Sequence, residues 1–219
     1  MSINPEEAAF DQYMSELYEE HKKEAIEEFT GERLSKYFLN NKDLAKPAIQ
    51  ALSSARNLIA NNSTAGFIFA EIAMEVGLKS VLLKPIVYGL VHAESVASLI
   101  TDLAVSQTSM DRYRKLILQL LQEHGGVNLD TCKRQGSSQV LWQEIKKAQE
   151  LRNGVMHRAD LASKENAELA LNTAAEILEN IFPSVVKNMG LHLHEDFRIC
   201  SDWKCRYENT QFGEAIKEK

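Results

Sequence analysis

Apolar residues recur three and four positions apart along most of the chain, which is typical of amphipathic α-helices. The segment 66–83 is apolar around most of its circumference, so we expect it to lie centrally. Gly125-Gly126 and Gly190 mark helix ends. We predict helices over 48–60, 66–83, 86–104, 109–124, from Ser137 or Ser138 onward, and over 164–189 with a kink at Pro183. This pattern predicts an all-α protein with an antiparallel helical bundle over residues 46–190.

The first 45 residues are more polar than the bundle. Asn4-Pro5 is a good helix start, and a charged helix is predicted to run to Phe29, where Thr30-Gly31 would end it. A shorter helix is predicted over 32–39. Because 5–29 is rich in Glu and has no wide apolar stripe, we interpret residues 1–45 as a helical extension outside the core. Deletion of residues 1–40 is therefore expected to leave a folded bundle.

The tail, residues 191–219, changes character. Residues 192–194 and 197–200 alternate in character, and Ser201-Asp202 could turn the chain toward 205–207, which indicates a small β-hairpin. The tail carries four residues of zinc-binding type, namely His192, His194, Cys200 and Cys205. Their spacing is irregular and lacks a tight Cys-x-x-Cys pair, so we favour reduced thiols over a zinc site and predict no metal and no cofactor. Trp203 and Tyr207 could stack on bases, although packing against the bundle is the preferred interpretation.

Composition and charge restrict the function. Hydrophobic residues make up 44% and charged residues 26%, as in globular proteins, and the net charge is −6. Proteins that bind long nucleic acids non-specifically usually carry a basic excess, so a role on RNA requires a local basic patch. An acidic protein that never contacts RNA is the alternative.

The sequence favours a cytoplasmic protein. No export signal is evident at the N-terminus, and the most apolar stretch, 65–91, is interrupted by Glu71, Glu75, Lys79 and Lys84, so we predict no membrane span. The three cysteines cannot all pair within one chain, which fits a reducing compartment.

An arginine stands where an apolar residue is expected. Leu141, Ile145 and Ala148 follow each other by four and three, and Arg152 occupies the next position of that stripe. A buried charge is costly unless it has an anionic partner, a subunit interface or a ligand. For Arg152 alone, an ion pair with Glu71 or Glu75 is the favoured interpretation.

Arg152 is followed by Asn153 and, four residues later, by His157. If the helix continues through Gly154, Asn153 and His157 share a face, whereas a break at Gly154 would separate them. Histidine transfers protons near neutral pH, and arginine stabilises the developing charge of a phosphorane. Asparagine can orient the imidazole or the phosphate, so the three side chains suit RNA cleavage without a metal.

A second segment agrees with this motif. Upstream, alanines, a glutamate, a lysine and leucines stand at the positions Ala70, Ala73, Glu75, Leu78, Lys79 and Leu82. Together with the Arg-Asn-x-x-x-His motif, this pattern resembles the HEPN family (higher eukaryotes and prokaryotes nucleotide-binding domains) over about residues 47–189. His92 resembles the histidine that often follows the upstream helix. Two features differ: Ala159 replaces a tyrosine of antitoxin-regulated members, and residues 84–92 replace the usual loop.

The resemblance implies a HEPN-like bundle that acts as a metal-independent endoribonuclease of the toxin or antiphage-defence type. Its catalytic residues would be Arg152, Asn153 and His157, and an antitoxin or defence-system protein could be a partner. Supporting or substrate-binding roles would go to Glu75, Lys79, Arg158, Lys146 and Lys147. Glu75 and Lys79 also form a favourable i,i+4 pair, and a role in orienting the core or Arg152 is preferred to a role on substrate. The alternatives are a catalytically inactive HEPN module that binds nucleotide or a partner protein, and a purely structural bundle.

Proton counting favours a homodimer. Cleavage by the 2′-hydroxyl needs one group that accepts a proton and another that donates one, whereas the motif holds only His157. A twofold dimer would supply two copies of His157 to one site, and the resemblance implies the same arrangement. It would also double Arg152, Arg158, Lys146 and Lys147 at one seam and so create the basic patch.

Overall fold

The computed structural model describes residues 5–91, 93–105, 110–202 and 205. These residues are mostly helical, which confirms the all-α prediction. No helix among them is both long and apolar enough to cross a membrane. The helices are α1 (Pro5–Asn40), α2 (Lys46–Leu58), α3 (Ser63–Val76), α4 (Lys84–Val91), α5 (Glu94–Val105), α6 (Met110–Gly125), α7 (Leu141–Arg158), α8 (Lys164–Ala175) and α9 (Phe182–Asn188), and the strands are β1 (His192–Leu193) and β2 (Ile199–Cys200).

Helix α3 lies at the centre of the bundle, as its apolar circumference predicts. It packs against α2, α7 and α8, and the side chains of Phe67, Ala70 and Met74 are buried. Asn62 caps α3 by accepting a hydrogen bond from the N–H of Ala65. Only residues 59–62 connect α2 to α3, so the two helices are antiparallel neighbours.

The N-terminal prediction is wrong at Thr30-Gly31, because α1 continues through both residues. Thr30 is buried, and its carbonyl oxygen lies 3.2 Å from where a Cβ on Gly89 of α4 would be. This close packing outweighs the cost of glycine in a helix, about 1 kcal/mol. Leu34 and Phe38 belong to the core, so the C-terminal half of α1 is part of the bundle and not an extension.

Two π-helical segments extend α3 and α8, and each precedes a proline. Residues 77–83 lead into α4 at Pro85, and residues 176–181 lead into α9 at Pro183. In both places the residue before the proline donates its N–H to the carbonyl five positions back, Lys84 to Lys79 and Phe182 to Ile177. Because proline has no N–H, the wider turns accommodate it without ending the helix.

The predicted helix 86–104 is two helices in the structure. Helix α4 ends at Val91, and α5 begins at Glu94. A carboxylate in the first turn of a helix is favourable because it interacts with the positive end of the helix dipole. The Glu94 carboxylate also accepts contacts from Lys84 and from the hydroxyl of Tyr37. The break between α4 and α5 is thus joined to α1 by polar contacts.

The start of α7 also differs from the prediction. The helix begins at Leu141, and neither Ser137 nor Ser138 caps it. The Ser137 hydroxyl instead donates to the buried carboxylate of Glu144 at 2.6 Å, and Arg134 forms an ion pair with the same carboxylate at 2.9 Å. A buried carboxylate therefore holds the loop that precedes α7.

The tail contains a small hairpin, as expected, but its turn lies over residues 194–198 and not at Ser201-Asp202. Strands β1 and β2 pair antiparallel, with His192 opposite Cys200 and Leu193 opposite Ile199. Leu193 and Ile199 are buried, and the N–H of Ile199 donates to the carbonyl of Lys42 after α1. The hairpin therefore packs against the bundle through its apolar face.

Candidate functional site

Helix α7 carries the three residues of the Arg-Asn-x-x-x-His motif. It is unbroken from Leu141 to Arg158, so Gly154 does not end it. Asn153 and His157 are one turn apart and share a face of the helix. Arg152 and Asn153 are half-buried, whereas His157 is exposed. The helix thus presents an accessible imidazole one turn after an amide.

Gly154 permits a close approach rather than a helix end. The chain reverses after α7 at Ala159, whose φ of 57° is left-handed, and the N–H groups of Ala159 and Asp160 donate to the Gly154 carbonyl. A Cβ on Gly154 would lie 2.6 Å from the Asp160 Oδ2. Glycine therefore makes room for the returning chain beside His157.

Arg152 has an anionic partner within its own chain. Its Nη1 lies 3.2 Å from Oε2 of Glu75 on α3, and both side chains are half-buried. This is one of the two partners that the apolar stripe suggested for a buried arginine. Because the pair retains some contact with solvent, the guanidinium remains near the surface.

A second carboxyl group lies beneath this ion pair. Glu71 is one turn before Glu75 on α3 and is 2% exposed, and its Oε1 has no hydrogen-bond partner among the described residues. Burial raises the pKa of Glu71 to about 8, the positive charge of Arg152 lowers it, and the negative charge of Glu75 raises it. Glu71 is therefore mainly protonated at neutral pH. The sequence had marked it only as an alternative partner for Arg152.

The helix spreads the motif over two faces. An α-helix turns about 100° per residue, so His157 lies about 40° from Asn153 but about 140° from Arg152. By the same geometry Lys146, which is exposed, lies between Asn153 and His157. One chain therefore offers an imidazole, an amide and a lysine on one face, and an arginine toward α3.

Two of the basic residues predicted at the seam lie on a third face. Lys147 and Arg158 are about 80–100° from His157 around the helix, and both line a groove of about 430 Å³ between α7 and residues 160–166. Arg158 pairs with Asp160 at 2.8 Å, and Glu150 also lines the groove. The predicted basic residues therefore do not share one surface in a single chain.

Lys79 pairs with a carboxylate on another helix. It lies in the π-helical segment 77–83 and forms an ion pair with Asp102 of α5 at 2.7 Å. The wider turn changes the angular relation of Lys79 to α3. Lys79 thus connects the central helix to α5. His92 lies outside the described residues.

The structure brings the tail residues together. The potential ligand atoms of His192, His194, Cys200 and Cys205 all lie within 4.8 Å of one another. No disulfide joins Cys132, Cys200 and Cys205. Irregular spacing in the sequence thus does not prevent a compact cluster. Trp203 and Tyr207 lie outside the described residues.

No family model, no curated protein and no solved structure matches this chain.

Proposed function

We propose that this chain is a metal-independent endoribonuclease, of the toxin or antiphage-defence type, whose active site is completed by a second copy of the chain. The observation that carries the proposal is the unbroken helix α7, which presents Asn153 and an exposed His157 on one face. A half-buried guanidinium, Arg152, begins the same motif. The resemblance of this motif and of α3 to HEPN domains supports the same function.

The residue types fit an internal transfer reaction. His157 of one chain accepts the proton of the RNA 2′-hydroxyl, whose oxygen attacks the adjacent phosphorus. The P–O5′ bond breaks, and the second imidazole donates a proton to the leaving 5′-oxygen. Arg152 stabilises the added negative charge on the phosphorane, and Asn153 orients the imidazole or a phosphate oxygen. The products are a 2′,3′-cyclic phosphate and a 5′-hydroxyl.

Exposed apolar side chains near Arg152 support a dimer at this surface. The N–H of Ala162, just after α7, donates to the hydroxyl of Thr64 at the start of α3, whereas Arg152 within α7 pairs with Glu75 near the end of α3. The two helices therefore run antiparallel. With a rise of 1.5 Å per residue, Met156 then lies at about the level of Ile72. Both side chains are exposed, although apolar groups are usually buried. A twofold partner would cover them and would carry its own copy of α7 toward His157.

The ion pair of Arg152 with Glu75 favours a second candidate, a catalytically inactive HEPN module that binds nucleotide or a partner protein. An arginine that already has a carboxylate partner can serve stability alone. In that case Arg152→Ala lowers the melting temperature and changes no activity. In the ribonuclease, Arg152→Ala and His157→Ala both abolish cleavage, and His157→Ala leaves the melting temperature unchanged because its side chain is exposed.

The test is RNA cleavage by wild type and His157→Ala in excess EDTA, with the fold followed by circular dichroism. His21→Ala is a matched control, because His21 is also an exposed helical histidine. We expect EDTA-resistant cleavage by wild type and by the control, cyclic-phosphate ends, and a loss of at least about 100-fold in His157→Ala. Cleavage that EDTA abolishes in a folded protein and magnesium restores would refute the mechanism. Equal cleavage by wild type and His157→Ala would refute the role of His157.

A growth assay addresses the biological class. Expression of an active ribonuclease of the toxin type should arrest growth, and His157→Ala should relieve the arrest. A wild-type protein that is as harmless as His157→Ala would favour the inactive module.

A further inference from the structure

The tail hairpin separates its residues into two faces. Side chains of a strand alternate, and directly opposed residues of paired strands share a face. Leu193 and Ile199 form the buried face against the bundle. His192 and Cys200 are opposite each other and therefore lie on the other face. His194 follows His192 by two positions and keeps to that face, since its N–H continues the ladder to the Arg198 carbonyl at 2.9 Å.

A turn brings the fourth residue to the same face. The N–H of Cys205 donates to the carbonyl of Asp202 at 2.9 Å, which folds the chain back after β2. As a result, the Sγ of Cys205 lies 3.1 Å from the Nε2 of His194. The rings of His194 and His192 are neighbours, with centroids 5.8 Å apart. Two imidazoles and two thiols thus converge from three parts of the tail.

We propose that His192, His194, Cys200 and Cys205 bind one zinc ion. Their ligand atoms lie within 4.8 Å of one another. Zinc–nitrogen bonds of about 2.1 Å and zinc–sulfur bonds of about 2.3 Å place tetrahedral ligands about 3.4–3.8 Å apart. Side-chain rotations that close a gap of about 1 Å are therefore enough for coordination, and two histidines with two cysteines are a ligand set typical of zinc.

An independent observation points to the same ligand. The Nε2 of His192 is buried and has no hydrogen-bond partner among the described residues. A buried polar atom without a partner costs roughly 1–3 kcal/mol. A metal ion that accepts the nitrogen lone pair removes this cost. All four residues are half-buried. Solvent therefore competes little for the ion, and the ion can still enter the site.

The ligand count assigns a structural role to the ion. Four protein ligands complete a tetrahedral shell and leave no position for water or substrate. On binding, the two thiols release their protons to solvent and coordinate as thiolates. The ion would hold β1, β2 and Cys205 against α9 and the end of α1, where the Ile199 N–H donates to the Lys42 carbonyl. This proposal is independent of the ribonuclease proposal, whose residues lie on α7.

Metal analysis of the full-length chain, purified without a histidine tag and under reducing conditions, tests the site. We expect about one zinc per chain in wild type and close to none in Cys200→Ser or Cys205→Ser. Cys132→Ser is the matched control, because Cys132 is also half-buried but lies in the loop before α7. It should retain about one zinc per chain.

Cobalt keeps the proposal testable if a cysteine variant does not fold. Co²⁺ added to the metal-free wild-type protein should produce the intense visible bands of a tetrahedral site and a thiolate charge-transfer band, and zinc should displace it. Metal-free wild type that shows neither band would overturn the proposal. Equal zinc in wild type, Cys200→Ser and Cys205→Ser would also overturn it.

Discussion

The cluster of Glu71, Glu75 and Arg152 places two carboxyl groups and one guanidinium where α3 meets α7. Glu75 forms an ion pair with Arg152 and keeps partial contact with solvent. Glu71 is buried, and burial raises its pKa to about 8. Glu71 holds its proton at pH 7, and the negative charge of Glu75 balances the positive charge of Arg152. The three side chains together therefore carry no net charge. A neutral cluster is less costly to bury than one with an excess charge.

Glu71 should make stability depend on pH. Between pH 4.5 and about 8 the unfolded chain releases this proton and the folded chain keeps it, so the free energy of unfolding falls as pH rises. This contribution is largest below pH 4.5, falls by up to about 1.4 kcal/mol per pH unit within the window, and is fully lost above it. Glu71→Gln has no such proton and should become more stable than wild type as pH rises.

Urea unfolding of wild type and Glu71→Gln at several values of pH measures this effect. The exposed helical residue Glu168 supplies a control, because Glu168→Gln should differ from wild type by a nearly constant amount. A difference between Glu71→Gln and wild type that stays constant from pH 5 to about 8 would contradict the raised pKa.

Helix α1 is a single element with two environments. Its described side chains between residues 9 and 22 are almost all exposed, including Phe10 and Tyr18. Near its end, Phe38 packs against Phe182 at 6.3 Å between ring centroids, and Tyr37 packs against Tyr88 at 4.8 Å. The element therefore combines a projecting half with a half that belongs to the core.

Two truncations distinguish these halves. Deletion of residues 1–22 should lower the melting temperature by no more than about 3 °C, because the described side chains that it removes are almost all exposed. Deletion of residues 1–40 removes Leu34, Tyr37 and Phe38 and should cost several kcal/mol, since loss of one buried Phe side chain costs about 3–5 kcal/mol. Thermal melts followed by circular dichroism measure both. A cooperative transition at the wild-type temperature after deletion of 1–40 would show that α1 is dispensable, as the sequence alone suggests.

Local signals in the sequence located many of the elements. The apolar stripe of α7, the start of α8 at Lys164 and the left-handed glycines at 126 and 190 depend on nearby residues, so the sequence is sufficient to predict such features. The continuation of α1 through Gly31 and the π-helical turns depend on tertiary packing, which the pattern does not contain.

The candidate functional residues likewise include some whose placement the sequence predicts and others whose placement depends on tertiary packing. The spacing of Asn153 and His157 follows from helical geometry alone, and Glu75 was one of two expected partners of Arg152. The burial of Glu71 and the return of the chain over Gly154 depend on how α3, α7 and residues 159–162 pack. The convergence of Cys205 with His194 requires the turn at Asp202, and linear spacing does not reveal it.

For the molecule as a whole, the proposed ribonuclease needs two copies of α7. One chain has a single His157 in the motif and a net charge of −6. Its predicted basic residues lie on different faces of α7, and Arg158 is already paired with Asp160. A twofold axis near Met156 and Ile72 would cover exposed apolar surface and bring two copies of Arg152, Lys146 and His157 to one cleft.

Mixing wild-type and His157→Ala chains under free exchange tests this shared site most directly. If both imidazoles are needed, EDTA-resistant cleavage follows the square of the wild-type fraction, so an equal mixture retains about one quarter of the activity. Mixing wild type with the His21→Ala control should leave activity unchanged. A strictly linear fall with the wild-type fraction, cleavage by a verified monomer, or no cleavage by wild type alone would contradict the account.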